Sequence, residues 1–221
     1  MSTEGGVPMR IDFVSDIACP WCAVGLASLE QALERIGGDI RAEIHFQPFE
    51  LNPHMAPEGE DTAEHIKNKY GLDDAQLAEN QARIRERGAE LGFTFHPEGR
   101  RRIVNTFDAH RLLHWAGIEG RQSELKHALL RAYFTDRQDV SDHDTLLRIA
   151  SEVGLPGDQA RDILASDRYA AEVRAAEELF QRSGINAVPS VILNRRHLVS
   201  GGQPVEVFER ALREVAAGEI E

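Results

Sequence analysis

Patterns typical of β-strands occur near the two ends of this 221-residue chain, and the first two of them bracket a helix. Met9–Ser15 mixes β-branched and aromatic residues as a buried strand does, and Arg41–Leu51 alternates as a second strand does. Between them, apolar residues recur at helical spacing until Gly37-Gly38 ends the pattern. Because parallel strands need a crossover connection, usually a helix, this order predicts a βαβ unit.

The other strand patterns lie close to the end of the chain. Ser190–Asn194 and His197–Ser200 flank a two-residue turn, Arg195-Arg196, which predicts a β-hairpin. A last helix follows, with Pro204 predicted in its first turn, where a missing N–H group does no harm. The end of the chain therefore predicts a ββα unit.

The segment between these two units carries helical patterns. Asp61, with an acidic residue three positions later, predicts a helix start of the capping-box type, and Asn105 predicts the N-cap of another helix. A helical segment of this size forms a domain rather than a linker. We therefore predict an α/β fold in which residues 8–51 and 186–218 form one domain and residues 52–185 form an all-helical insertion domain.

The composition limits the partners of the chain. The formal net charge is -12, and such an acidic protein is unsuited to sequence-independent binding of nucleic acids, which depends on basic side chains. The apolar runs are far shorter than the roughly 20 residues that cross a bilayer, and the first residues lack a signal-peptide pattern. We expect a soluble, cytoplasmic protein, monomeric or homodimeric, with no membrane or nucleic-acid partner.

The two cysteines of the chain, Cys19 and Cys22, lie in the sequence CPWC. A structural disulfide across so short a loop would stabilise the fold by only about 2 kcal/mol, and cytoplasmic thiols stay reduced. A zinc site would need two further ligands, for which His110 and His114, one helical turn apart, are the candidates. A redox pair needs no further ligand, so the sequence favours a redox centre without a metal.

The place of this motif between a strand and a helix indicates which sulfur reacts. Cys19 falls at the predicted N-cap and Pro20 at the first helical position, so free N–H groups of the first turn point toward the Cys19 sulfur. These groups and the helix dipole stabilise a thiolate, which is the nucleophile of disulfide exchange. We therefore expect Cys19 to attack a disulfide, Cys22 to resolve the mixed disulfide, and Trp21 to cover the pair.

A second motif, Val188-Pro189, precedes the hairpin. Proline cannot lie inside a central strand, but it can begin one. Beside a C-x-x-C helix on this frame, Pro189 is predicted to be cis and to face the dithiol, which would turn the backbone groups of Val188 toward an extended substrate. We expect Pro20, Trp21, Val188 and Pro189 to form the substrate-binding surface.

Five sequence segments resemble those of the thioredoxin-fold oxidoreductases of the DsbA family, and within it the FrnE-like branch. They are CPWC after the first strand, FELNP after the second, NTFDAHRLLHWA, LLRAYFTDRQDVSD, and VPS before the hairpin. The resemblance implies a thioredoxin domain interrupted by a helical domain, and a cis Pro189. It also implies thiol–disulfide oxidoreductase activity on protein or small-molecule disulfides, with Cys19 and Cys22 as the redox pair. It implies no cofactor besides this pair, and glutathione is a candidate co-substrate.

One position departs from the pattern of that fold. Many thioredoxin-fold enzymes bury an acid in the first strand, six residues before the first cysteine, and here that position is Phe13. The proton of the resolving cysteine would then pass to Asp16, His45, Glu50 or water. The sequence does not rank these acceptors.

A second function stays open beside thiol–disulfide exchange. The FrnE-like branch resembles glutathione-dependent isomerases and transferases of small aromatic compounds, of the 2-hydroxychromene-2-carboxylate isomerase and kappa-class types. These enzymes usually carry serine where this chain has cysteine. Their glutathione groove would correspond here to Asn52, Val188, Pro189 and the segment around Gly201-Gly202.

The helical insertion would form a roof over such a groove. Asn105, His110 or Trp115 could line it, whereas the alternative is that Phe107, Leu112 and Trp115 pack the seam between the domains. A third function, as a non-catalytic redox sensor or chaperone, is least favoured because the acidic helices show no exposed apolar patch in the sequence.

Overall fold

The computed structural model describes residues 5–218 as two sheets and nine α-helices. The strands are β1 (Val7–Ser15), β2 (Ile40–Pro48), β3 (Glu60–Asp61), β4 (Arg102–Ile103), β5 (Ser190–Leu193) and β6 (His197–Ser200). The helices are α1 (Pro20–Ile36), α2 (Thr62–Tyr70), α3 (Asp74–Glu90), α4 (Phe107–Ile118), α5 (Gln122–Phe134), α6 (His143–Glu152), α7 (Gly157–Leu164), α8 (Ala170–Arg182) and α9 (Val205–Ala217). The predicted order of βαβ, helical insertion and ββα is confirmed. None of the helices between residues 5 and 218 is both long enough and apolar enough to cross a bilayer.

The main sheet has the strand order β2-β1-β5-β6, with β1 parallel to β2 and the other pairs antiparallel. β1 pairs on both sides, and its second half is buried, as its run of apolar residues requires. α1 and α9 pack against each other, and Leu29 and Leu212 lie in the same core as β1. The loop of residues 16–19 therefore leads from the central strand of this sheet into α1.

The helical insertion covers the sheet at β2. α4, α5 and α8 all contact this strand. The side chain of Gln122, at the start of α5, accepts a hydrogen bond from the Phe46 N–H group (3.0 Å) and donates one to the Phe46 carbonyl (3.1 Å). Gln122 therefore satisfies both main-chain groups of Phe46, as a neighbouring strand would.

The seam between the helices and the sheet is apolar. Leu112 and Trp115 of α4 are wholly buried, and the Trp115 ring N–H group donates to Glu119 (3.1 Å). Phe107 is half-buried under the guanidinium of Arg174, 3.7 Å from the ring centroid. The packing interpretation is therefore confirmed for Leu112 and Trp115.

Two details of the strands differ from the predictions. β3 and β4 form a two-residue ladder inside the insertion, and elements this short leave no periodic signal. In the hairpin, Leu193 pairs with His197, so the turn comprises Asn194, Arg195 and Arg196. Asn194 and Arg195 both have a positive φ, which asparagine adopts more readily than most residues.

The helix starts also differ in detail. Asp61 caps α2 through two N–H groups of the first turn, as predicted, but the full capping box lies at the start of α3, between Asp73 and Gln76. Thr106 rather than Asn105 is the N-cap of α4, and Asn105 accepts a hydrogen bond from the Phe107 N–H group instead. Pro204 is the N-cap of α9 and not a residue of its first turn. α7, only eight residues long, was not predicted.

Candidate active site

The two cysteines lie at the start of α1. Cys19 is the N-cap, with extended backbone angles, and Pro20 is the first helical residue, as predicted. Both sulfurs are free thiols; Cys19 is 4% exposed, whereas Cys22 is completely buried. A reagent or substrate can therefore reach Cys19 but not Cys22.

The two thiols differ in acidity. The neighbouring thiol of Cys22, and to a smaller extent the Cys22 main chain, lower the pKa of Cys19. Arg100 acts in the same direction, whereas burial and the charge of Asp16 oppose it. Burial raises the pKa of Cys22 well above its ordinary value, and the hydrogen bond and charge of Cys19 raise it further. Cys19 is therefore the more acidic of the two thiols.

The segment before β5 lies against this pair. The Val188–Pro189 peptide bond is cis, and Cys19 Sγ lies 3.7 Å from the Val188 carbonyl oxygen. A Cβ atom on Gly25 would lie 2.9 Å from Pro189 Cγ, and one on Gly202 would lie 3.0 Å from the main chain of α1. Glycine at both positions therefore allows α1, the proline and the segment after β6 to approach closely.

A cavity of about 890 Å³ opens beside Cys19. Trp21, Val188, α2, α3 and the loop after α3 contribute to its walls. Its charged side chains are Lys69, Arg83, Arg85, Arg100, Glu50 and Glu79. The Arg83 guanidinium lies over the Trp21 ring, 5.7 Å from the centroid. Basic groups thus outnumber acidic ones in the cavity beside Cys19, although the whole chain is acidic, so the cavity favours anionic ligands.

Asp16, in the loop before Cys19, is a buried carboxylate with several donors. Its Oδ1 accepts from the Thr106 hydroxyl (2.8 Å) and lies 3.3 Å from His110 Nε2. Its Oδ2 accepts from the Leu51 N–H group at 2.8 Å. Burial raises the pKa of Asp16, but these hydrogen bonds and the charge of His110 outweigh it, so that the pKa lies below its ordinary value. An anion with this many donors is a poor acceptor for a thiol proton.

Glu50, in the loop after β2, is a second buried carboxylate with fewer donors. It contacts the Arg174 guanidinium, which also binds Glu177 (2.8 Å). Within residues 5–218, the second carboxylate oxygen of Glu50 has no hydrogen-bond partner. Burial and then the charge of Glu177 raise the pKa of Glu50 to about 7, although Arg174 opposes them. Glu50 is therefore a proton-exchanging group in the cavity wall near neutral pH.

Lys126 of α5 also belongs to this region, and the sequence analysis missed it. Its side chain is wholly buried, and burial lowers the pKa of its amine, while the charges of Cys22 and Asp16 oppose that shift. A signal was available, because residues 126, 129, 130 and 133 share one helical face and the other three are apolar or aromatic. A charged residue in such a stripe indicates a buried charge.

The other predicted residues lie away from this arrangement. His45 contacts Arg10 (3.1 Å) and Glu43 (3.2 Å). Neither Asn105 nor Trp115 belongs to the walls of the Cys19 cavity described for residues 5–218, so the predicted roof is wrong for both.

The two histidines considered for a zinc site have other partners. His110 faces Asp16, and it does not line the Cys19 cavity as described over residues 5–218, so the predicted roof is wrong for it as well. The ring of His114 stacks on Tyr169, with centroids 5.2 Å apart. In the part of the chain that the structure describes, no group of three or more histidine, cysteine, aspartate or glutamate side chains is placed to hold a metal ion.

Comparisons with known proteins agree with this geometry. The model of the DSBA-like thioredoxin domain matches residues 10–213. The crystal structure of a probable DsbA oxidoreductase from Streptomyces coelicolor has a TM-score of 0.87 and 37% identity, covering 96% of this chain and 92% of that one. The structure of a 2-hydroxychromene-2-carboxylate isomerase has a TM-score of 0.70 and 12% identity, covering 96% and 100%. The structure of the cytosolic disulfide reductase DsbM from Pseudomonas aeruginosa with GSH has a TM-score of 0.63 and 18% identity, covering 94% of this chain and 99% of that one. The last two show likeness of fold, and together the matches identify a thioredoxin fold with a helical insertion.

Proposed function

Because the chain belongs to the DSBA-like thioredoxin domain family, we propose that it is an enzyme of thiol–disulfide exchange that works through Cys19 and Cys22. The observation that carries the proposal is the opposite displacement of the two thiol pKa values at the start of one helix. A lowered pKa provides a thiolate nucleophile, and a raised pKa keeps the second sulfur protonated until the first has reacted.

In the reducing direction, the Cys19 thiolate attacks a substrate disulfide, and one substrate sulfur leaves as a thiolate. Cys22 then loses its proton and attacks Cys19 Sγ in the mixed disulfide, which releases the second substrate sulfur. Two electrons pass to the substrate, and the enzyme is left with a Cys19–Cys22 disulfide. The oxidising direction reverses these steps, and there the stabilised Cys19 thiolate is a good leaving group.

The substrate would bind across Pro20, Trp21, Val188 and Pro189. The Val188 carbonyl oxygen lies 3.7 Å from Cys19 Sγ, so a substrate N–H group bonded to it would bring a neighbouring sulfur to Cys19. Pro20 and Trp21 line the cavity beside this sulfur together with Val188. Extended segments of disulfide- or thiol-containing proteins and small disulfides both fit such a surface.

We place this reaction in the cytoplasm. The supporting observations are that both cysteines belong to the reactive motif and that a protein of the same fold, DsbM, is a cytosolic disulfide reductase. Fractionation of the native host with an antibody against the full chain tests the location, and recovery outside the cytoplasmic fraction would contradict it.

The direct test of the function is reduction of insulin, or of a glutathione-based disulfide probe, by the purified full chain. Cys19→Ser should abolish turnover because it removes the nucleophile. Cys22→Ser should keep the first attack and accumulate a mixed disulfide, seen by mass spectrometry and released by dithiothreitol. A double variant with both substitutions is the control for adducts elsewhere. Full turnover in both single variants would refute the proposal.

A second candidate is a glutathione-dependent isomerase or transferase of small aromatic compounds. The observation that favours it is the basic cavity beside Cys19, because guanidinium groups bind carboxylates such as those of glutathione. The cysteines count against it, since such enzymes usually carry serine at these positions. Glutathione could equally serve as a co-substrate of the redox reaction.

Calorimetry separates these roles. S-methylglutathione cannot form a disulfide, so heat of binding from this compound would report the cavity alone. Arg83→Met should weaken that binding, whereas Arg182→Met, on the exposed face of α8, should not. Absence of heat at several temperatures would eliminate a glutathione site.

A further inference from the structure

The resolution step needs an acceptor for the Cys22 proton, and the position where an acid was expected holds Phe13. This side chain is wholly buried and its ring packs edge-on against Phe46, its register partner in β2, with centroids 5.8 Å apart. Asp16 has its own donors, and His45 is bonded to Arg10. Glu50 contacts Arg174 and belongs to the wall of the Cys19 cavity. Apart from Glu50, the residues considered from the sequence therefore leave this proton without an acceptor in the core.

Lys126 reaches the same aromatic pair from the helical insertion. Its Nζ lies 5.8 Å from the centroid of Phe46, and its side chain is completely buried. Among residues 5–218, no atom forms a hydrogen bond with Nζ. Burying an amine without a partner destabilises a fold, so packing does not explain the presence of a lysine here.

The amine and the Cys22 thiol influence each other across this core. The positive charge of Lys126 stabilises the Cys22 thiolate, and that thiolate stabilises the ammonium form. Burial raises the pKa of Cys22 and lowers that of Lys126, so burial favours the neutral thiol and the neutral amine, which are the forms from which the transfer starts. Asp16 and Cys19 also act on Lys126, and His127 is its neighbour in α5. The titratable residues that line the cleft beside Lys126 are Glu43, His45, His110, His114 and Glu124.

A second cleft of about 480 Å³ reaches Lys126 from outside. His110, Phe46 and Gln122 line it together with Lys126. Over the described residues, this cleft shares no wall residue with the cavity beside Cys19. Solvent therefore approaches Lys126 from a side of the molecule other than the one that holds the Cys19 cavity.

We propose that Lys126 accepts the proton of Cys22 when Cys22 attacks the Cys19–substrate disulfide, and that it releases this proton through the second cleft. The thiol becomes a thiolate as the neutral amine becomes ammonium; the Cys19–Cys22 bond forms, and the substrate leaves as a thiolate. Electrons move only from the dithiol to the substrate. This inference rests on the proposed exchange function, whose second step it completes.

Lys126→Met tests it, because methionine fills the same space without an amine. The rate of disulfide formation from the mixed disulfide, followed by rapid mixing, should fall about tenfold or more at pH 7, and its pH profile should move to higher pH. Alkylation of Cys19 by iodoacetamide, measured in the Cys22→Ser background, should stay close to its unsubstituted rate. Lys67→Met, the same substitution on α2 outside the cavity, should leave both rates unchanged.

A second measurement uses the unsubstituted protein, so that its result does not depend on whether Lys126→Met folds. The chain has three lysines, so carbon NMR of labelled lysine can follow each of them. In the reduced protein, Lys126 should titrate below the ordinary value of a lysine, and its midpoint should change when the cysteines are oxidised.

Either of two results would overturn the inference: a Lys126 titration that matches the other lysines in both redox states, or an unchanged resolution rate in Lys126→Met. Neither result would affect the proposed function. That function fails independently, if Cys19→Ser and Cys22→Ser both keep full turnover.

Discussion

Asp16 and Glu50 lie in the loops that follow the two parallel strands of the sheet, and both are buried, yet they differ in charge. Asp16 receives donors from α4, from the loop after β2 and from its own loop, and its pKa lies below its ordinary value. Glu50 shares one guanidinium with Glu177, and its pKa is raised to about 7. Burial alone does not set the charge of a carboxyl group; the donors that meet it do.

The helical insertion supplies the groups that decide both cases. Thr106 and His110 of the insertion hold Asp16 as a fixed anion next to the dithiol. Arg174 and Glu177, from the same insertion, give Glu50 one attractive and one repulsive neighbour. A change of pH near neutrality therefore acts on Glu50 and leaves Asp16 charged.

The largest change in the free energy of unfolding is expected when the negative charge of Asp16 is removed. Asp16→Asn should destabilise the protein by about 2–3 kcal/mol at pH 7, because donors such as the Leu51 N–H group would face an amide in place of a carboxylate. Urea unfolding measures this change. The folded pKa of Asp16 is depressed, so its contribution is present above the unfolded value of 3.8 and is lost as the pH falls through the folded value.

The control for that variant is Asp144→Asn, an exposed aspartate of α6, which should change stability by less than about 0.5 kcal/mol. Equal stabilities of the two variants at pH 7 would contradict the view of Asp16 as a fixed, well-satisfied anion.

Removing the negative charge of Glu50 is expected to stabilise the protein, whereas removing that of Asp16 destabilises it. Between pH 4.5 and about 7 the folded state binds a proton at Glu50 that the unfolded chain has lost, so stability falls as the pH rises through this window. Glu50→Gln mimics the protonated form, and at pH 8 it should stabilise the protein by about 1–2 kcal/mol. Unfolding of both proteins at pH 4 and pH 8 measures the difference, which should be much smaller at pH 4.

Glu178→Gln, on the same helix as Glu177 but exposed, should follow the unsubstituted protein at both pH values. If Glu50→Gln lost as much stability between pH 4 and pH 8 as the unsubstituted protein, the raised pKa of Glu50 would be wrong.

The smallest change in stability is expected when Asp16 loses only one of its hydrogen-bond donors, the Thr106 hydroxyl. Thr106→Val keeps the shape of the side chain and removes the hydroxyl that donates to Asp16, which should cost about 1 kcal/mol of stability. The pKa of Asp16, followed by carboxyl carbon NMR, should rise as one of its donors disappears. An unchanged pKa would show that the remaining donors are sufficient.

The half of this site that is local in sequence could be predicted. Cys19 at an N-cap and Pro20 at the first helical position follow from residue types in adjacent positions. The position of Val188-Pro189 against Cys19 depends also on the order of strands in the sheet, whereas local patterns predicted only the order of elements along the chain.

The other half depends on contacts between distant segments. Asp16 meets Thr106 and His110 about ninety positions further along the chain, and no periodic pattern encodes that contact. Even the N-cap of α4 differs from the predicted Asn105, and the hydroxyl of the observed N-cap, Thr106, donates to Asp16 and not to its own helix. Lys126 was overlooked for a different reason, because a lysine in a helix is usually read as exposed.

The bond between Gln122 and Phe46 has a consequence for how molecules of this protein meet each other. An edge strand with free N–H and carbonyl groups is a template on which another chain can add a strand and begin to aggregate. Many proteins protect such an edge with charges, prolines or bulges. Here the side-chain amide of Gln122 bonds to the Phe46 N–H and carbonyl groups, where a neighbouring strand would otherwise bond. At this residue of β2, protection of the strand edge therefore depends on one neutral glutamine.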